Sequence, residues 1–217
     1  MEEKEQDHWD LILLLSLLLV ILIYPVMDHG DIRKSILGVL FFAPVVMATV
    51  RMSEIKSRVW PSVLLMLGTM ISAVASTFFP NRVWMGIRWG MMAAFFGFTV
   101  LSLFSHLKNA RSVTNPHLYT AISIYLLLGM QWFALYSVAD SLYPGAVLRA
   151  DSGEVQKQSE LLYFSLVTLS TIGYGDIVPR HGVVRMLAAL EGVTGVLYVA
   201  ITVALLVNAY KQSNGSK

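Results

Sequence analysis

The 217-residue sequence contains no cysteine. That absence excludes disulfides, thiolate zinc sites and cysteine nucleophiles, and it says nothing of the redox compartment. Charge is also scarce. Only 14% of the residues are Asp, Glu, Lys or Arg, against about a quarter in a soluble globular domain. What charge there is nearly cancels, leaving a formal +2, so no broad field draws an anionic partner such as a nucleic acid. Apolar residues make up 56% of the chain and the mean hydropathy is +0.63. Such a chain is not solvated on all sides, which argues against a soluble enzyme, a disordered segment and a nucleic-acid binder. The unit to look for is a helix of about 20 apolar residues.

Six runs read as membrane spans: 11–26, 32–50, 60–79, 83–107, 119–139 and 186–210. Trp9 and Tyr24 bracket the first, as interfacial anchors do. Its flank carries Glu2, Glu3, Glu5, Asp7 and Asp10 against Lys4, and no small-residue cleavage site follows. It is therefore read as a retained helix, not a secretory signal. A polar loop from Tyr143-Pro144-Gly145 to Lys157 precedes 161–169, which is apolar but too short to span. No soluble domain, and so no fused nucleotide or calcium sensor, is expected after Tyr210. Small residues within the spans, such as Gly68, Ser72, Ala93 and Gly97, read as faces for close helix packing. The eleven methionines read as packing too, since no Met-x-x-Met cluster suggests copper.

The informative stretch is Thr168-Leu169-Ser170-Thr171-Ile172-Gly173-Tyr174-Gly175-Asp176. A short helix is expected to run into it, with Ser159 as a plausible N-cap and Glu160 at the positive end of its dipole. Glycine at alternate positions permits backbone angles that other residues avoid. Alternating such angles turns successive carbonyls to one side, and several chains around an axis would stack them into oxygen rings able to replace the hydration shell of an alkali cation.

Thr171-Ile172-Gly173-Tyr174-Gly175, followed by Asp176 and Pro179, resembles the selectivity filter of the potassium channels. The clear likeness covers 119–210 and extends weakly to the first four runs. It implies that the carbonyls of Thr171, Ile172, Gly173 and Tyr174 coordinate K+, with the Thr171 hydroxyl as the innermost ring. It implies that Asp176 ties the filter mouth to the pore helix. Family members often place a tryptophan there, where this chain has Tyr163 and Phe164; Tyr163 retains a hydroxyl to donate. Some relatives carry a glutamate behind the filter, at the position of Val167 here. Gly195 falls where many relatives have a hinge glycine, with Gly192 one turn earlier; close packing against the pore helix explains either glycine equally well. Val196, Val199, Val203 and Val207 share a helix face by their spacing, and Val203 and Val207 are candidates for a hydrophobic constriction or for an ordinary helix seam.

Glu191 stands out because an ionised carboxylate is costly inside an apolar helix. It is expected behind the filter, near pore-helix hydroxyls such as Thr168, where it would bias gating with pH; a solvated place near the mouth is the alternative. His181, just past the filter, is a candidate titrating group at the mouth or an inert loop residue.

Four helices before a pore unit suggest a voltage sensor, but a sensor needs several basic residues spaced by three. The fourth run has Arg82 and Arg88 at its start and then nothing basic until Lys108. The expected architecture is thus an all-α membrane protein of six transmembrane helices with a re-entrant pore helix and filter. Residues 1–110 form a sensor-like domain without sensor charges, and 111–217 form the pore domain. With the filter opening outward, both termini are cytoplasmic. Lysines and arginines then divide eight against eight across the membrane, so the positive-inside rule casts no vote. The resemblance implies a homotetramer in the lipid bilayer, passing K+ with no cofactor and no reaction. A less selective monovalent cation channel, a non-conducting subunit and a transporter-type potassium-handling subunit are the alternatives.

Overall fold

The computed structural model describes residues 2–27, 43–50, 58–108, 115–154 and 158–215. Helices dominate: α1 (Glu2–Met27), α2 (43–50), α3 (Val59–Phe78), α4 (Arg82–Lys108), α5 (Asn115–Leu142), α6 (Gln158–Leu169) and α7 (Gly182–Gly215). Of the second expected span, 32–42 lies outside the described residues. Among the described residues, four helices are long and apolar enough to cross a membrane: α3, α4, α5 and α7. A shorter apolar helical stretch, His8–Tyr24, lies within α1. The chain is a multi-pass membrane protein.

Hydroxyls in these helices bond back to their own backbone. Ser62, Thr69, Ser72, Ser76 and Ser141 each donate to the carbonyl three residues before, at 2.6–2.9 Å. This is how serine and threonine sit in an apolar helix without a partner elsewhere.

The chain divides into two compact units. One comprises Met1–Ser62, Phe98–Leu127 and Leu197–Lys217. In it Leu13 and Leu17 of α1, Leu103 of α4 and Ile124 of α5 are fully buried. Tyr198 donates to the Ala121 carbonyl at 2.6 Å and lies against the rings of Phe104 and Tyr125. Arg58 donates to the Ser102 carbonyl and to the Ser105 hydroxyl.

The other unit comprises Val63–Gly97 and Leu128–Val196. Its core holds Phe95, Phe96, Met130, Phe133 and Tyr136, with Leu161, Leu162 and Phe164 from α6. Trp89 meets Phe133 edge-on at 5.1 Å. Two three-residue strands, β1 (Val147–Arg149) and β2 (Ile177–Pro179), pair antiparallel with Leu148 opposite Val178. A purely helical reading of the sequence omits this ladder, because three residues carry no periodicity to detect. Its consequence is local: Ala150 N–H donates to the Asp176 carbonyl at 2.8 Å. The end of the glycine-rich strip is thereby fixed to the loop before α6.

Candidate functional site

The site is built around the C-terminus of α6. The described part of the helix runs over Gln158–Leu169, with Ser159 buried near its start. Glu160, the next residue, accepts from Arg149 at 2.8 Å. The Glu160 carboxylate pushes the Arg149 guanidinium above its ordinary value.

At the other end, Thr171 N–H donates to the Thr168 carbonyl and Ile172 N–H to that of Val167, at 2.9 and 3.0 Å. These two bonds, with a left-handed residue between them, are the Schellman closure of a helix. The left-handed residue is Thr171, at φ 59°, where glycine is the usual occupant. A β-branched residue there costs about 1–2 kcal/mol. Gly173 (φ 57°) and Gly175 (φ 80°) repeat the left-handed geometry at alternate positions. Among the described residues no other non-glycine has positive φ.

The strip 171–176 is exposed throughout, including the apolar Ile172 and the ring of Tyr174. Its carbonyls from Thr171 to Gly175 accept no hydrogen bond among the described residues. Its flank is held by side chains. The Tyr163 hydroxyl donates to Asp176 Oδ2 at 3.0 Å, and the Tyr163 ring lies parallel to that of Tyr174. Loss of hydration, then the bond to Asp176, push the Tyr163 hydroxyl above its ordinary value. His181, past the strip, stacks on Tyr143 at 4.0 Å.

Helix α7 runs along α6 through small residues. A Cβ at Gly195 would strike the backbone carbonyl of Leu169. One turn earlier Gly192 faces the Thr168 carbonyl at an ordinary 3.8 Å. Close approach of backbones accounts for glycine at 195 without any bending, and α7 is continuous through it. Val196, Val199, Val203 and Val207 are all exposed.

Glu191 is fully buried. Its Oε1 lies 2.6 Å from Ser165 Oγ, and its Oε2 accepts from the Tyr136 hydroxyl at 2.5 Å. The α6 hydroxyl it meets is therefore Ser165, not Thr168, whose hydroxyl donates to the Phe164 carbonyl. A place in solvent near the mouth is excluded. Sequence reading missed Tyr136 and Ser165. The signal was available in principle, since a carboxyl in an apolar helix requires hydroxyl or amide partners, but choosing between them needs the helix rotations.

Residues 120–212, which contain α6 and the strip and most of α5 and α7, match the family model described as an ion channel. The chain is 32% identical over 77 residues to a candidate potassium channel protein of Rhodopseudomonas palustris, covering 33% of this chain and 19% of that protein. It is 35% identical over 82 residues to two pore potassium channel a of rice, Oryza sativa subsp. japonica, covering 37% and 20%. It is 30% identical over 87 residues to potassium voltage-gated channel subfamily A member 2 of Oncorhynchus mykiss, covering 38% and 17%. The matched part spans about a fifth of the length of these relatives. No solved structure matches. The resemblance to potassium channels read from the filter motif thus holds at the level of an ion-channel stretch with potassium-channel relatives.

Proposed function

We propose that the chain is a subunit of a potassium-selective channel that passes K+ down its gradient. The observation that carries this reading is the strip Thr171–Gly175. It has left-handed backbone at alternate residues and exposed carbonyls with no hydrogen bond among the described residues. Irregular backbone in a bilayer must line a cavity or be buried in protein. Carbonyls freed in this way replace an ion's water. The strain at Thr171 fits a position retained for its hydroxyl and carbonyl, where glycine would relax the turn at the cost of the side chain.

One chain supplies one strip, and a closed ring takes four, so the assembly is a cyclic homotetramer. Thr171, Ile172, Gly173 and Tyr174 bind the ion, and Asp176, Tyr163 and Thr168 support them. Exposed Val203 and Val207 narrow the inner end of the path, and Gly192 and Gly195 seat α7 on α6. Residues 1–110 act as a four-helix scaffold and 111–217 as the pore, six spans in all, with both termini cytoplasmic. Two arginines at the start of α4 make voltage gating shallow, because one charge crossing the field is worth only about 2.3 kcal/mol per 100 mV.

Purified protein in a planar bilayer under opposed potassium and sodium gradients tests the reading. The reversal potential is expected to follow potassium. A reversal potential indifferent to potassium refutes it.

A further inference from the structure

Glu191, Tyr136, Ser165 and the Gly129 carbonyl form a chain of short oxygen–oxygen contacts joining α5, α6 and α7. Tyr136 Oη meets Glu191 Oε2 at 2.5 Å, Glu191 Oε1 meets Ser165 Oγ at 2.6 Å, and Ser165 Oγ meets the Gly129 carbonyl at 2.7 Å. All three side chains are completely buried within the single chain. Three contacts need three hydrogens. Each hydroxyl carries one and the carbonyl carries none. The third hydrogen belongs on the carboxyl. Tyr136 then donates to Glu191, Glu191 to Ser165, and Ser165 to Gly129, with every oxygen satisfied and no charge buried.

The chain sits where it controls the filter. Ser165 lies one turn before Leu169 on α6, and Glu191 one turn before Gly195 on α7. The contact Glu191–Ser165 and the contact Gly195–Leu169 are successive rungs of one helix pair. The end of α6 fixed by those rungs is the Schellman turn from which the strip starts. Unlike a carboxyl at the position of Val167 on the pore helix itself, Glu191 reaches from the inner helix and does not touch Asp176, which is taken by Tyr163.

We infer that Glu191 is a positioning residue. Its neutral carboxyl holds α6 between α5 and α7, and removal of its proton leaves Ser165 with one hydrogen for two acceptors, loosens α6 and lowers conduction. The inference rests on the proposed channel function. Other ionisable groups on the packed elements are engaged elsewhere. On α5, Tyr136 is a member of the chain, and Asp140 accepts from Gly145 N–H. On α6, Glu160 binds Arg149 and Tyr163 binds Asp176. On α7, Arg185 is exposed two turns away. On α4, Arg88 lies over the Trp89 ring and Arg82 is near Asp140.

The test compares wild type, Glu191→Gln and Glu191→Leu in bilayers from about pH 6 to about pH 9.5. Glutamine keeps the whole chain, since its amide N–H donates to Ser165 and its carbonyl accepts from Tyr136, and it has no proton to lose. Wild-type open probability is expected to fall severalfold on alkalinisation, while Glu191→Gln stays potassium-selective and flat across the range. Glu191→Leu strands the Tyr136 and Ser165 hydroxyls and is expected to lose selectivity at every pH. Infrared spectra give a readout independent of conduction: a protonated-carboxyl band in the wild type at neutral pH, missing from Glu191→Gln. A Glu191→Gln response that tracks the wild type, or the absence of that band, overturns the inference while leaving the channel function intact. Wild type that passes no potassium at any pH overturns the channel function, and the inference with it.

Discussion

Gly195 offers a sharp test of how α6 and α7 meet. In Gly195→Ala the new Cβ lands on the Leu169 backbone, with the carbonyl carbon at 3.0 Å, the Leu169 Cδ1 at 3.3 Å and the carbonyl oxygen closer still. Normal separations are about 3.5–4.0 Å, so the obstacle has to move. A side chain would rotate away, but this one is the final carbonyl of α6. Overpacking costs about 1–3 kcal/mol, and a rigid backbone obstacle belongs at the upper end. Replacing glycine by alanine in a helix returns about 1 kcal/mol. The net loss is about 2 kcal/mol, a factor of about 30 in the folded-to-unfolded ratio. The control is Gly192→Ala, whose nearest neighbour lies at 3.8 Å and which keeps the helix gain of up to about 1 kcal/mol. Thermal inactivation of the purified protein in detergent, with potassium-to-sodium selectivity measured in parallel, reads the difference. Gly195→Ala should melt earlier and lose selectivity, and Gly192→Ala should do neither. If both variants are as stable and selective as the wild type, backbone contact is not why glycine stands at 195.

Tyr163→Phe removes the bond to Asp176 and should speed the decay of current during sustained opening. Because the Tyr163 hydroxyl ionises above its ordinary value and donates in its protonated form, that contribution is full below the ordinary value. It is lost only as pH rises through the raised one, so the difference from wild type should persist at pH 9 and vanish in strongly alkaline solution. Thr171→Gly relieves the left-handed strain and should leave or raise stability by about 1 kcal/mol while weakening potassium selectivity, read from the reversal potential. Arg82→Gln and Arg88→Gln should leave the steepness of the conductance–voltage relation unchanged; a clear flattening would show that these arginines move in the field. Arg149→Gln breaks an exposed pair with Glu160 and should have a small effect that high salt removes.

Much of this was legible in the sequence. Apolar runs of about 20 residues leave few alternatives, because backbone groups in lipid must bond within the helix. The helices α3, α4, α5 and α7 accordingly fall within a few residues of the expected runs. The left-handed backbone at Gly173 and Gly175 was legible because glycine at alternate positions carries a backbone instruction in its own identity. The partners of Glu191 were not legible. Sequence could say that a buried carboxyl needs partners, and named Thr168, but α6 presents Thr168 and Ser165 on neighbouring faces, and only the packed rotation selects Ser165. Gly195 was ambiguous for the same reason: a glycine's purpose is set by what lies opposite it. The Schellman turn at Thr171 and the β1–β2 ladder were also out of reach. Each depends on bonds between residues whose own preferences are weak or contrary. The scarcity of charge thus determined the solvent in which this chain folds, and the alternate glycines determined where its backbone turns left-handed. The tertiary packing decided which hydroxyls hold the buried carboxyl of Glu191 and where two helix backbones touch.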